Sequence, residues 1–193
     1  MSANPATVGF LTVVTDDEGG RMGGYLVADR AGRPLEFHCT VAVKPTRAQE
    51  ILYGPTLEPY LCGEQIAVAL ISKAKVDVDA VLTDCSPVLA AREVIPTPVG
   101  LLLFADDDGS DRGDDMSQSQ AGVKRLRIDA PHSLEGTEGR VTVGGHSIAA
   151  PKRFASDADK LRRAIERLYD TVDVREPFER IRLALAEAQR AKR

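Results

Sequence analysis

The chain contains no tryptophan, and aromatic residues make up 5% of its 193 positions. A platform that stacks successive bases of a single strand needs several exposed rings, so that class of nucleic-acid binder is disfavoured. A formal charge of -4 speaks equally against a broad basic face for nucleic acid. Cysteine is scarce too: Cys39, Cys62 and Cys85 are 23 residues apart in each case, with no Cys-x-x-Cys pair and an odd total. Neither a disulfide framework nor a zinc ribbon fits that pattern, and the expected compartment is the reducing cytoplasm. Long apolar runs are missing. The longest, near Val99 to Ala105, is far below membrane-spanning length, and Met1 to Thr7 lacks the basic start and apolar stretch of an export signal. The expectation is a soluble chain with no membrane partner.

What is present is ordinary for a globular domain: 43% hydrophobic and 28% charged residues, in a length that can bury a core without staples. Charge is unevenly spread. Residues 1–150 carry 13 basic and 21 acidic side chains, whereas residues 151–193 carry 12 basic and 8 acidic. From Asp106 to Gln120 the sequence has six Asp, two Gly and no apolar periodicity, so it cannot bury enough surface to offset its ordering entropy. The expected organisation is a core of an α/β domain over 1–104, a flexible acidic loop over 105–122, completion of the domain over 123–171, and a C-terminal helix over 172–193.

Val8 to Thr15 is a β-branched run closed by the turn-forming Asp16-Asp17-Glu18-Gly19-Gly20, which predicts a buried strand. Gly23 to Ala28 and Leu35 to Val43 flank a turn-rich connection and predict a hairpin that continues the first strand as a three-stranded meander. Thr46 and Gln49 form a capping box for a helix to Tyr53, and a longer helical pattern with Leu57, Leu61, Ile66, Ala69 and Leu70 runs to about Lys73. Ala80 to Thr83 predicts a central strand, Ser86-Pro87 an N-cap and first-turn proline for a short helix, and Val99 to Phe104 the next strand. Val123 to Ile128 and Arg140 to Val143 predict shorter strands. Two helices then follow, one from Ser156 with Leu161, Ile165 and Leu168 on one face, the other after Pro177 with Phe178, Ile181 and Leu185.

Three strands, helix, strand, helix, strand is the chain order of the ribonuclease H-like fold, and particular residues carry the same resemblance. Val13-Val14-Thr15-Asp16-Asp17 followed by Gly23-Gly24-Tyr25 is similar to that superfamily's first strand, which bears an Asp before a glycine-rich turn. Thr46 to Glu50 resembles the start of its first helix, where a Glu faces the site. Val81 to Ser86 resembles the end of its fourth strand, with a second Asp at Asp84. Val143 to Ser147, followed by Asp157 or Asp159 at a helix start, resembles its mobile histidine loop and last carboxylate. The resemblance covers about Val8 to Ile165, with two departures: Asp-Asp where Asp-Gly is usual, and a first crossover lengthened by Pro55 to Asp79.

The fold class expected is therefore α/β or α+β, with a mixed sheet that begins in the meander and ends in a C-terminal helical pair. The resemblance implies a divalent-metal-dependent nuclease, or a degenerate relative of one. Asp16, Glu50 and Asp84 would hold Mg²⁺ or Mn²⁺ ions about 4 Å apart, because in-line displacement at phosphorus needs both the attacking and the leaving oxygen stabilised. His146 would carry a proton or assist product release, Asp157 would complete the catalytic set, and nucleic acid would be the partner. Every candidate also suits a local task. Asp16 and Asp17 fit a strand-end turn, Glu50 favours a helix N-terminus, Asp84 precedes a helix, and Asp157 and Asp159 fit a capping box.

Cys85 at a strand-to-helix turn would be a nucleophile only with a partner base, and His38 and Cys39 point to opposite sides of a strand and so make a poor metal pair. The alternative to an enzyme is a non-catalytic interaction domain that docks a protein partner on its C-terminal helices.

Overall fold

The computed structural model describes residues 7–103, 137–143, 146–169 and 173–191. The acidic loop expected over 105–122 and the strand expected over 123–128 lie outside these residues. Seven strands form one mixed sheet: β1 (Thr7–Thr15), β2 (Arg21–Asp29), β3 (Pro34–Cys39), β4 (Ala80–Thr83), β5 (Val99–Leu103), β6 (Thr137–Val143) and β7 (His146–Pro151). Their order across the sheet is β3-β2-β1-β4-β5-β7-β6. The meander β1-β2-β3 is antiparallel throughout, β1, β4 and β5 are parallel, and β7 and β6 return antiparallel.

β1 and β2 are covered on both faces, which is why they read as apolar runs rather than alternating ones. On one face Val8, Phe10, Val14, Leu26 and Leu82 meet helix α3 (Ala158–Tyr169) and helix α4 (Glu176–Arg190) through Leu161, Ile165, Leu168, Phe178, Ile181 and Leu185. Leu11, Val13, Tyr25, Val27 and Val81 on the other face meet a helical layer formed from the first crossover and from the 3₁₀ helix Ser86–Glu93. Phe178 stacks edge-on against Phe10, with ring centroids 5.6 Å apart. Gly24 lets α4 approach, since a Cβ there would overlap Ile181. The stripe expected to dock a partner is thus consumed by the protein's own sheet.

The fold differs locally from the sequence reading in three places. The helix expected to Tyr53 is α1 (Arg47–Tyr53), but the longer helical pattern expected after it, to about Lys73, is a 3₁₀ turn at Gly54–Thr56, a π-helix at Pro59–Ala67, and α2 (Val68–Lys73). The buried residues fit either winding, since Leu61 and Ile66 are five apart whereas Cys62 and Ile66, and Gly63 and Ala67, are four apart. Gly63 allows this turn to press on the Ser86–Glu93 helix, where an added Cβ would lie 2.7 Å from Ala90. The short helix after Ser86 is wound as 3₁₀ with Cys85, not Ser86, at its cap. Finally, His146 and Ser147 of the expected histidine loop are in strand β7. Val143 ends β6 and His146 opens β7 as its cross-strand partner, while Gly144 and Gly145 lie outside the described residues.

Candidate functional site

Open α/β sheets bind ligands beyond the carboxyl ends of their parallel strands, where the chain must leave the sheet. Asp84 follows β4 at that end. Thr83 pairs with Leu11, so the next pair along brings Asp84 level with Thr12, a buried polar residue on the α4 side of β1. One Asp84 carboxylate oxygen, Oδ2, accepts from Nη2 of Arg182 on α4. The other, Oδ1, is buried with no hydrogen-bond partner among the described residues. A carboxylate side chain 9% exposed, neutralised by one guanidinium and short of one donor, is the most polar point in that end of the core.

The other predicted residues lie elsewhere. Asp16 is four residues beyond the Thr12 level, about 13 Å on at strand rise. Its Oδ1 accepts the N–H of Glu18 (3.0 Å) and of Gly20 (2.7 Å), closing the β1-β2 turn in which Gly19 takes a φ of 81°. Asp16, Asp17, Glu18, Cys39, Thr40 and Gln189 line a cleft of about 300 Å³ there, between the turn and the end of α4. Glu50 is on the solvent side of α1, a helix that buries none of its residues, and pairs with Arg47 at 2.8 Å. His146 opens β7, two strands from β4 and so about 10 Å across the sheet.

Asp157 stands at the opposite end. It follows β7, which runs antiparallel to β5, and its Oδ2 accepts from Arg92 Nε at 2.6 Å while Arg92 also donates to the carbonyl of Ile95, before β5 begins. The fold therefore brings Asp84 and Thr12 together and leaves Asp16, Glu50, His146 and Asp157 apart from them. Among the described residues no group of three or more His, Cys, Asp or Glu side chains is placed to hold a metal ion.

No protein-family model matches the chain, and no curated protein matches it. The site is read from its own geometry.

Sequence reasoning missed the residues that decide that geometry. Arg182 reads as part of a solvated arginine and glutamate face, and its partner Asp84 is 98 positions away in the chain. Arg92 and Asp157 are likewise far apart in the chain, 65 positions, and the Arg92 guanidinium also lies 4.1 Å from the centroid of the Phe154 ring. The cysteines make no metal site together: Cys39 is exposed, whereas Cys62 and Cys85 are buried. A hydrogen bond to Cys62 and burial push the Cys85 thiol well above its ordinary value, the reverse of what a nucleophile needs. His38 is engaged by Glu36, Nε2 to Oε1, at 2.7 Å.

Glu36 itself ties β3 to the segment after α2, accepting the N–H of Lys75 (2.9 Å) and Val76 (3.0 Å). These bonds, led by the one from His38, hold its carboxyl below the ordinary carboxylate value. A depressed folded-state pKa stabilises above the unfolded-state value, about 4.3, and that contribution is lost as pH falls through the folded value. Thermal melts from pH 6 to 3 should therefore show a shallower acid decline for Glu36→Gln than for the parent. Parallel curves would show that Glu36 carries no share of the acid sensitivity.

Proposed function

We propose that the chain is a degenerate, non-catalytic relative of ribonuclease H-like nucleases that serves as an interaction domain. The observation that carries this reading is the Asp84–Arg182 pair. In a two-metal nuclease the carboxylate ending the fourth strand must be free to bind a cation, and its neighbours are further carboxylates. Here the β1 residue level with Asp84 is Thr12, and the positive charge beside Asp84 is a covalently fixed guanidinium from α4. The donor set does not fit Mg²⁺ or Mn²⁺, which demand several oxygen ligands converging from separate elements. Support for the superfamily itself comes from the antiparallel meander followed by the parallel pairs β1-β4 and β4-β5. Nucleic acid as a partner rests on the resemblance alone.

The sign of one stability change tests the site. Carboxylates gathered for a metal repel one another in the apoprotein, so neutralising one raises stability, whereas neutralising one member of an ion pair lowers it. Asp84→Asn is expected to lower the melting temperature, by an amount corresponding to about 1–3 kcal/mol for a largely buried charge pair. Addition of Mn²⁺ is expected to leave the parent's melting temperature unchanged, and RNA–DNA hybrid is expected to remain uncleaved with either metal. A rise in melting temperature for Asp84→Asn, or Mn²⁺-dependent cleavage that Asp84→Asn abolishes, returns the chain to the nucleases.

A further inference from the structure

Among the described residues β3 ends the sheet on one side and β6 ends it on the other, and the two edges differ. Exposed edges invite pairing with another chain, and proteins blunt them with charge, proline, glycine and bulges. β6 has these devices: Gly139, Arg140 and a register shift between Glu138 and Val141. On β3 they are confined to the ends, with Arg33, Pro34 and a register shift near Leu35 before it and Lys44-Pro45 after it. Between them the strand carries Leu35 and Phe37, which are 47% and 40% exposed, and exposed Cys39 on one face.

The backbone of this window is turned outward in a defined way. Thr40 donates its N–H to the carbonyl of Gly23, which marks residues 23 and 40 as a hydrogen-bonded pair. Alternation along the antiparallel ladder then directs His38 and Glu36 toward β2 and sends the N–H and C=O of Phe37 and Cys39 away from it.

We propose that β3 is a homodimerisation edge, pairing antiparallel with β3 of a second copy about a twofold axis through Phe37. The choice of a second copy rests on self-complementarity. An axis at Phe37 sets Phe37 opposite Phe37 of the other copy, exchanging both outward hydrogen bonds, and on the other face sets the Glu36–His38 pair of one chain head to tail against that of the other, so that no two Glu36 carboxylates are directly opposed. Aromatic pairs and opposite charges directly across strands stabilise, and like charges directly across destabilise. An axis one residue earlier would oppose Glu36 to Glu36, and one residue later would set Phe37 opposite Cys39 and lose the aromatic pair, so the middle register is the one selected. Exposed Leu35 then lies opposite Cys39, completing an apolar row. Asp84, which follows β4 three strands further in, has no part in this edge.

A six-residue edge is at the small end of interfaces, so association should vary with concentration. Sedimentation of the full chain should show its 20.8 kDa mass at about 1 µM and doubling of that mass at concentrations some hundredfold higher. Phe37→Lys places like charges at the axis and should weaken association about tenfold or more without changing the circular dichroism spectrum, because Phe37 is exposed. For the register, Phe37→Cys in a Cys39→Ser background should form a disulfide-linked dimer on mild oxidation, since directly opposed strand residues have Cα atoms about 5.5 Å apart. His38→Cys and Leu183→Cys in the same background should cross-link at least tenfold more slowly. A monomer at every concentration, a Phe37→Lys chain that dimerises as well as the parent, or faster cross-linking at position 38 or 183 overturns the proposal.

Discussion

Ile181→Asp is expected to abolish the cooperative thermal transition. Ile181 is 1% exposed, lies on Gly24 at the middle of β2, and belongs to the same cluster as Phe10, Leu26 and Phe178. An aspartate there has no cationic partner and replaces a large apolar side chain, so transfer, cavity and charge-burial effects act together. Their sum is more than about 4 kcal/mol, a large share of the 5–15 kcal/mol by which domains of this kind are stable. Truncation after Thr171 removes Val174, Phe178, Ile181 and Leu185 together and uncovers one face of β1 and β2, so it should leave an aggregation-prone chain with no sharp melt. A truncated chain that melts cooperatively at the parent's temperature would mean that α4 is an appendage and that its stripe is free for a partner.

Asp157→Ala is expected to destabilise by about 3–5 kcal/mol, because it strands a guanidinium that is mostly withdrawn from water. Asp157 is 3% exposed and Arg92 reaches it from the Ser86–Glu93 helix, so this pair clamps the helical layers of the two sheet faces to each other. Arg92→Ala should lose a similar amount, part of it from the lost contact with Phe154. The double substitution Arg92→Met with Asp157→Leu should recover much of the loss, since an apolar pair of similar volume avoids charge burial altogether. Urea titrations of the three variants give the coupling energy. A double variant as unstable as the sum of the singles would show that the two side chains act independently.

The sequence carried the local features of this fold. The run from Val8 to Thr15 announced a strand buried on both faces, the Thr46-x-x-Gln49 box announced its helix, and the box is present with Thr46 Oγ1 accepting from Gln49 N and Gln49 Oε1 accepting from Thr46 N. The period of Phe178, Ile181 and Leu185 showed that α4 needed a covering surface. Such signals are legible because they depend on neighbours within a few residues, where period and capping chemistry act.

The candidate site was legible only as a set of residue types. Asp16, Glu50, Asp84, His146 and Asp157 stood at the ends of elements, yet whether they meet depends on strand register and on which end of the sheet each element reaches. Register put Thr12, not Asp16, beside Asp84, and the antiparallel return of β7 carried Asp157 to the far end. The partners of Asp84 and Asp157 are 98 and 65 positions away, respectively, separations at which no periodicity survives. Spacing also left open whether Leu61 to Ala67 winds as α or π; in the fold it winds as π, with Gly63 closely packed on the Ser86–Glu93 helix. The sequence by itself determined the strands, the caps and the apolar faces, because these are short-range consequences of side-chain chemistry. Tertiary structure alone decided which charges neutralise one another and which edge stays open, because those follow from packing two helical layers onto one sheet.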